Sequence, residues 1–598
     1  MCGVVGFIDK KNQLSKAAKK RLIMRMRRRI DYRGGDTVGH YVYKNTALGH
    51  TRLSILDLSQ KGKQPFFSSD KQYVISYNGE LYNYAALNKK LAPEFVFKTA
   101  SDTETLVNSY AAWGINCVKM FKGMFAFALL DRKGDLLHLA VDRFGIKPLY
   151  VVNNEDWFAF ASEIKSLLLL PGITPQLDTD VLPEYLLYRH PSGSRTMFSG
   201  ITKILPGQLL TFHLPSQKIT SRTYWKIRKH PKFFKNNYQK EFLDLMNKSV
   251  EEHLVADAPV GLQLSGGVDS SLIAALAAAK KTTHFHSFSI GLAARGWNEF
   301  KYSRAVAKKL HTIHHELLFT EKEFCNLLPH LTWHMDEPVS HPQAVPFYIL
   351  SKKARRFVKV LLNGEGADEV FGGYLRYLKL FKKKTVSDSA ILALSRFGDP
   401  IILEKITSLR FKKAPEYRAN IIKEYKNLGV FEKTSGLDIK TYLVSRLNMQ
   451  DKMGMAANIE TRVPFLDHHI VEFGFALPVH LKITPHETKS LVKHIATQFV
   501  PTEGIYRRKS GFGLPLSQWL THRHGLGRYL NFFTNPNAFQ REYLNYKEVK
   551  KIIQEHVSRK KNHGEVLWIL INLEIWSRIF LNGVHPSKIW PSTKSAKK

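Results

Sequence analysis

Residues 259–271 read PVGLQLSGGVDSS, and no other stretch constrains the fold as strongly. The apolar run Val260–Leu264 predicts a buried strand that ends at two glycines, and a helix is expected over Ser270–Lys281. A strand that turns through glycine straight into a helix belongs to a parallel sheet with crossover helices. The chain downstream keeps this alternation. His284–Ile290 and Lys359–Leu362 read as strands and Ser303–Leu310 as a helix. The expectation is an α/β doubly wound parallel sheet with additional helices running to about Leu581.

The first ~200 residues have a different texture, with short β-like runs set between turn residues. Val4–Ile8, Tyr73–Tyr77, Phe125–Leu130 and Leu136–Val141 read as strands, and Asp102–Trp113 reads as a helix. Strands joined mostly by short turns imply an α+β sandwich. The polar, basic segment after Pro215 reads as a connection. The expected boundaries are residues 2–215, a linker at 216–238, a second domain at 239–582 and a flexible tail at 583–598.

Hydrophobic residues make up 44% and charged residues 23%, which excludes a disordered, collagen-like or coiled-coil chain. Lys plus Arg number 89 against 51 Asp plus Glu, a net charge of +38 that favours anionic partners without choosing among them. Three cysteines (Cys2, Cys117 and Cys325) form no disulfide framework and suit a reducing compartment. No apolar run reaches the ~18 residues of a membrane helix. With no signal-peptide pattern, the expected location is cytoplasmic.

Cys2 follows Met1. Removal of the methionine leaves a thiol and a free α-amine on one residue, and the amine can accept the thiol proton. Such a residue alone is a weak signal. Around it stand DYRGGDTVG, LGHTRLSILDLS, YNGELYN, SDTE, GMFAFALLDR, VDRFGIKPLY and FASEIKSL. MCGVVG followed by these segments in this order resembles the class II glutamine amidotransferase domain. Nearly the whole chain is similar to the glutamine-hydrolysing asparagine synthetases.

The resemblance implies an N-terminal nucleophile (Ntn) hydrolase sandwich for residues 2–215 and an ATP-pyrophosphatase synthetase domain for 239–582. Cys2 attacks the side-chain amide of glutamine, and Asn78 with the Gly79 N–H donates to the oxyanion. Arg52 holds the α-carboxylate, Glu80 and Asp102 the α-ammonium, and Leu53 and Ile55 line the pocket. Read without the resemblance, Asn78-Gly79 is a hairpin turn. The family usually reads His-Arg-Gly-Pro-Asp where this chain has Tyr32-Arg33-Gly34-Gly35-Asp36. Gly35 is expected to loosen that loop.

SGGVDSS lacks the Gly-x4-Gly-Lys-Ser/Thr of P-loop NTPases. It resembles the pyrophosphate loop of enzymes that split ATP between its α- and β-phosphates. Leu264, Ser265, Gly266, Gly267, Asp269 and Ser270 form the cradle, and Ile290 lies where an adenine rests. The resemblance extends to LLNGEGADEVFGGY and implies nucleotide contacts at Asn363 and Gly364, an adenylation-critical role for Glu365 and metal binding at Asp368. Asp269 is the expected second ligand of Mg²⁺, and Lys489, at a matching family position, is the candidate to steady the transferring phosphate. Asn363 stands where the family commonly has Ser. Asp336-Glu337-Pro338 and Arg462–Asp467 also match family positions.

The implied reaction takes aspartate, glutamine and ATP to asparagine, glutamate, AMP and pyrophosphate through β-aspartyl-AMP. The rival acceptor is another carboxylate, such as a sugar acid of a surface polysaccharide. Family analogy extends to a homodimer. Neither a membrane nor a nucleic-acid partner is expected. The eight Lys/Arg of 16–29 interleave with Leu22, Ile23, Met26 and Ile30 at helical spacing, so one face reads as core. His311, His314 and His315 lie at a helix-to-strand junction and read as non-metal histidines.

Overall fold

The computed structural model describes residues 2–227, 237–280, 284–294, 296–381, 386–411, 414–507, 513–534, 538 and 542–589. Its amino-terminal half stacks two six-stranded sheets, in which every recorded pairing is antiparallel. One sheet runs Ile201–Lys203, Tyr150–Asn153, Trp157–Ala161, Gly3–Asp9, Thr46–Arg52, Thr37–Tyr43. The other runs Ile219–Thr223, Gln208–His213, Leu136–Val141, Gly123–Asp131, Tyr73–Leu81, Phe66–Phe67.

The period-2 pattern of the strands explains the layering. On Gly3–Asp9, Val4 and Ile8 face the core between the sheets with Val74, Ala126 and Leu137. Val5 and Phe7 face outward onto Leu22, Ile23, Met26 and Ile30, four apolar residues in and just after the basic helix Lys16–Arg28. Ile75 and Tyr77 of the second sheet pack outward on Leu106 and Val107 of the helix Asp102–Trp113. The result is a helix–sheet–sheet–helix sandwich.

The expected linker begins too early. Ile219–Thr223 pairs along its length with Gln208–Phe212, and Tyr224 N–H donates to Gly207 (2.8 Å). This segment is an edge strand of the second sheet. Its alternation is hidden because only Ile219 is partly covered and the remaining four residues are exposed. Residues 228–236 of the expected linker lie outside the described residues, and the helix Tyr238–His253 opens on the cap Asn237.

The second half is built on a parallel sheet ordered Ile313–Phe319, His286–Leu292, Val260–Gln263, Val360–Leu362, Glu460–Arg462. The helices after the expected strands are Val268–Ala278 and Phe300–Lys309, each within three residues of the sequence expectation. Val260–Gln263 lies in the middle, and the chain crosses to one side of it and later to the other. The crevice at such a reversal, beyond the carboxyl ends of the strands, is where doubly wound sheets bind ligands.

The halves are fused through shared cores. Leu53, Ile55, Tyr82, Met124 and Phe144 of the sandwich bury against Leu262, Leu272, Phe371 and Phe465. Tyr185 and Phe198 join Phe324, Trp568 and Trp576 in another shared cluster. The helix Gly564–Phe580 is buried on nearly every face, so it reads as an apolar run without amphipathic period. Among the described residues no helix is long and apolar enough to cross a membrane.

Candidate functional site

Cys2 precedes the central strand Gly3–Asp9 and is 6% exposed. Its backbone N–H donates to Asn78 Oδ1 (2.9 Å), and Arg33 Nε donates to its carbonyl (3.1 Å). Burial pushes the thiol up, and the Leu53 N–H and the Arg52 guanidinium act in the opposite direction.

Asn78-Gly79 is not a turn. It lies within the strand Tyr73–Leu81, with Asn78 opposite Ala126 and Gly79 opposite Phe125. A Cβ on Gly79 would overlap the Met124 carbonyl, so glycine is required by close strand approach. The Asn78 amide holds Cys2 with its oxygen, while its buried Nδ2 has no protein partner. A buried donor left unsatisfied costs about 1–3 kcal/mol and marks a place for a ligand acceptor.

Arg52 closes the neighbouring strand. Its Nη atoms donate to Ser59 O (2.9 Å), Leu56 O (2.9 Å) and Asp57 O (2.7 Å), which fixes the guanidinium plane. Asp102 is the first residue of its helix, and its Oδ2 accepts from Tyr77 Oη and Leu81 N–H, each at 2.8 Å. Burial lifts its carboxyl to about 6. Burial also holds Glu80 well above the usual carboxylate range, against the pull of Arg462. Cys2, Arg52, Leu53, Ile55, Gly79, Glu80 and Asp102 line one small cavity. A thiol, a fixed guanidinium and buried carboxylates around it suit a zwitterionic amino acid.

Tyr32 and Gly35 flank the Arg33-Gly34 pair, whose arginine holds the Cys2 carbonyl. Gly35 has φ +107°, a conformation closed to proline. Tyr32 Oη bonds Glu163 and accepts from Lys165 Nζ (3.0 Å).

The second site forms at the reversal of the parallel sheet. Gly266 takes φ +73°, and a Cβ there would stand 2.5 Å from Ser303 N. Ser265 and Ser270 Oγ lie 3.0 Å apart across the turn, and Gly267 caps the helix that carries Asp269. Asn363 and Gly364 follow the adjacent strand, and a Cβ on Gly364 would meet Asp269 Cβ at 2.7 Å. The two glycine loops therefore touch.

Lys489 links them. It is 3% exposed rather than a surface lysine, and its Nζ stands 2.6 Å from Asp269 Oδ2 and 2.6 Å from Asp368 Oδ1. The two carboxylates raise the affinity of Lys489 for its proton despite burial. Ser289 donates to the Leu264 carbonyl, and Ser289, Ile290, Phe288, Leu264 and Trp297 line an apolar-walled cleft beside the loop.

Glu365 is held by Arg446 Nε (3.1 Å) and Nη2 (2.9 Å) and by Gln450 Nε2. Asn363 serves this loop as a local hydrogen-bonding residue. Its Oδ1 accepts from Glu365 N–H (3.0 Å) and its Nδ2 donates to Gln450 Oε1 (2.8 Å). Arg446 and Gln450 had no short motif to betray them. They sit one turn apart on the helix Tyr442–Ala456, whose own spacing marks nothing beyond a buried helix.

The same helix meets the amino-terminal half. Arg33, fully buried, bridges Glu163 (2.8 Å) and Asp451 (2.7 Å), and Lys147 reaches Asp451 (3.3 Å). Lys452 and Lys165 both pair with Asp336 at 2.8 Å. Cys2 and Glu365 are thus joined through Arg33, Asp451 and Gln450. In the histidine run, His314 bonds Ser287 (2.8 Å) and His315 stacks on Phe288 (4.8 Å).

Comparison with known proteins finds matches to both halves of the chain. A family model for asparagine synthase matches residues 241–578, and one for a glutamine amidotransferase domain matches residues 1–225. Asparagine synthetase [glutamine-hydrolyzing] 1 of Bacillus subtilis is 31% identical, with 97% of each chain covered. Asparagine synthetase B [glutamine-hydrolyzing] of Escherichia coli is 31% identical, with 76% of each chain covered. The chain belongs to the asparagine synthase family of glutamine-dependent ligases.

Proposed function

We propose that this enzyme converts aspartate to asparagine with ammonia cut from glutamine, through an acyl-adenylate. Carrying this reading is the meeting of two glycine loops, Asp269, Asp368, Lys489 and Glu365 at the carboxyl ends of one parallel sheet.

With Met1 removed, the α-amine of Cys2 takes the thiol proton and the thiolate attacks the glutamine amide carbon. Arg52 meets the α-carboxylate through its remaining N–H donors, and Asp102 and Glu80 meet the α-ammonium. Asn78 Nδ2 and the Gly79 N–H receive the oxyanion. Collapse of the intermediate releases ammonia and leaves a γ-glutamyl thioester, which water opens to glutamate.

A carboxylate does not yield its oxygen to ammonia at neutral pH. One oxygen of the aspartate side chain therefore attacks the α-phosphorus of ATP, and pyrophosphate leaves. Ammonia then displaces AMP. The backbone N–H groups of Ser265–Val268 and the following helix end cradle the phosphates, with the adenine against Ile290. Two facing carboxylates, Asp269 and Asp368, fit a hard oxygen-seeking cation. They would hold Mg²⁺, which supplies neutralisation of phosphate charge, and Lys489 keeps them together. Glu365 takes the proton that the attacking ammonia must lose.

The test is AMP release by purified enzyme with glutamine and Mg-ATP across a panel of acids. Aspartate is expected to give the highest rate. A sugar acid exceeding it would reassign the acceptor and keep the chemistry.

A further inference from the structure

The glutamine-side cavity is not closed by the amino-terminal half alone. Glu460, from the edge strand of the parallel sheet, lines it together with Cys2, Arg52, Glu80 and Asp102. Glu460 is 1% exposed, and its Oε1 accepts from Arg462 Nε (2.6 Å).

Arg462 is itself fully buried and spans the boundary. Its Nη2 stands 3.0 Å from Glu80 Oε2, and its Nη1 donates to His253 O (2.8 Å) and Val255 O (2.6 Å). It thereby sets one carboxylate from each half on the same cavity wall. Its carbonyl also accepts from Asn363 N–H (3.0 Å), the residue under Glu365.

Three buried carboxylates, Glu80, Asp102 and Glu460, share this cavity with the Arg52 guanidinium, and Arg462 bridges Glu80 to Glu460. Burial opposes ionisation of Glu460, but Arg462 and Lys147 keep its carboxyl below the usual range. Its charge in turn pushes Asp102 and Glu80 upward. A cationic group entering the cavity would meet the ionised Glu460 beside Asp102 and Glu80.

We infer that Glu460 is a substrate-binding residue of the glutamine site, contributed by the synthetase half to face the α-ammonium, with Arg462 as its positioning residue. This rests on the glutaminase reading given above. On this account the glutamine pocket is complete only while the two halves are docked.

Glutaminase kinetics of the full chain test it. Glu460→Gln keeps size and polarity and removes charge. It should raise the KM for glutamine about tenfold and change kcat less than threefold, while the KM for ATP in the ammonia-driven reaction stays within twofold. Glu460→Asp should recover part of the loss. Arg462→Lys, which frees both carboxylates from their fork, should raise the same KM. A melting temperature for each variant separates misfolding from lost binding. A Glu460→Gln enzyme with glutamine KM changed less than threefold, or with kcat falling at unchanged KM, overturns the inference. Wild-type enzyme that never hydrolyses glutamine would instead overturn the glutaminase reading itself.

Discussion

Lys489 and Asp269 stand 2.6 Å apart across the two glycine loops, with Asp368 at the same distance on the other side of the ammonium. The backbone of Lys489 is left-handed (φ 56°), and the lysine opens the helix Ser490–Ala496. A Cβ on Gly373 would overlap both Asp368 and Lys489, so that glycine leaves the space the pair occupies. Lys489→Met should lower AMP formation by about 10²-fold or more, the scale for one lost transition-state donor. Glutaminase activity measured without ATP should survive. Equal loss of both activities would instead mean that the substitution disturbs the whole fold.

Cys2→Ala should abolish glutamine-driven amidation and keep the ammonia-driven reaction, because the proposed nucleophile serves only glutamine hydrolysis. Parallel assays with glutamine and with ammonium chloride read this directly, and mass spectrometry should find the mature chain starting at Cys2. Asn78→Ala should lower glutamine hydrolysis by about 10²–10³-fold at similar glutamine KM, as expected for one oxyanion donor.

Asp102 gives a pH prediction. Its carboxyl is lifted to about 6 by burial. A raised carboxyl contributes stability that is present below its unfolded value and lost as pH rises through the folded one. The free enzyme should therefore gain stability from this group on acidification through about pH 6. Binding has the opposite sign, since an α-ammonium needs the ionised form. The KM for glutamine should rise as pH falls below about 6, and Asp102→Asn should raise it and flatten that dependence. A wild-type KM that is flat between pH 5 and 8 would contradict the assignment.

Tyr32 occupies the position where the family usually has His, and its hydroxyl joins the buried Glu163–Lys165 pair. Tyr32→Phe removes one partner from a charged group in a dry interface, which costs about 1–3 kcal/mol. The midpoint of urea unfolding reports it. An unchanged midpoint would show that the network tolerates the loss.

Much of this was legible in the chain itself, for identifiable reasons. Leu136–Val141 and Asp102–Trp113 appear with the expected bounds, because one has β-branched and leucine residues between turns and the other a Ser cap with acidic first turn. Val260–Leu264 was visible because buried parallel strands read as apolar runs. Tyr73–Tyr77 fell short of Leu81, since Asn78-Gly79 imitates a turn while the tertiary pairing with Ala126 and Phe125 overrides that preference. The strand Glu460–Arg462 was invisible as a strand: three residues, two of them charged, carry no β signature, and it is pairing with the distant Val360–Leu362 that makes them part of the sheet. Arg446, Gln450 and Glu460 were missed for the same reason. Their roles arise from distant segments meeting, which local spacing does not encode.

The proposed reaction forms an acyl-adenylate in the carboxy-terminal half, and ammonia displaces AMP from it. Aspartate carrying ¹⁸O in its side-chain carboxylate tests this directly, in a reaction with glutamine and Mg-ATP. One labelled oxygen is expected in the phosphate of the AMP released and none in pyrophosphate. Unlabelled AMP, or label recovered in inorganic phosphate beside ADP, would contradict it.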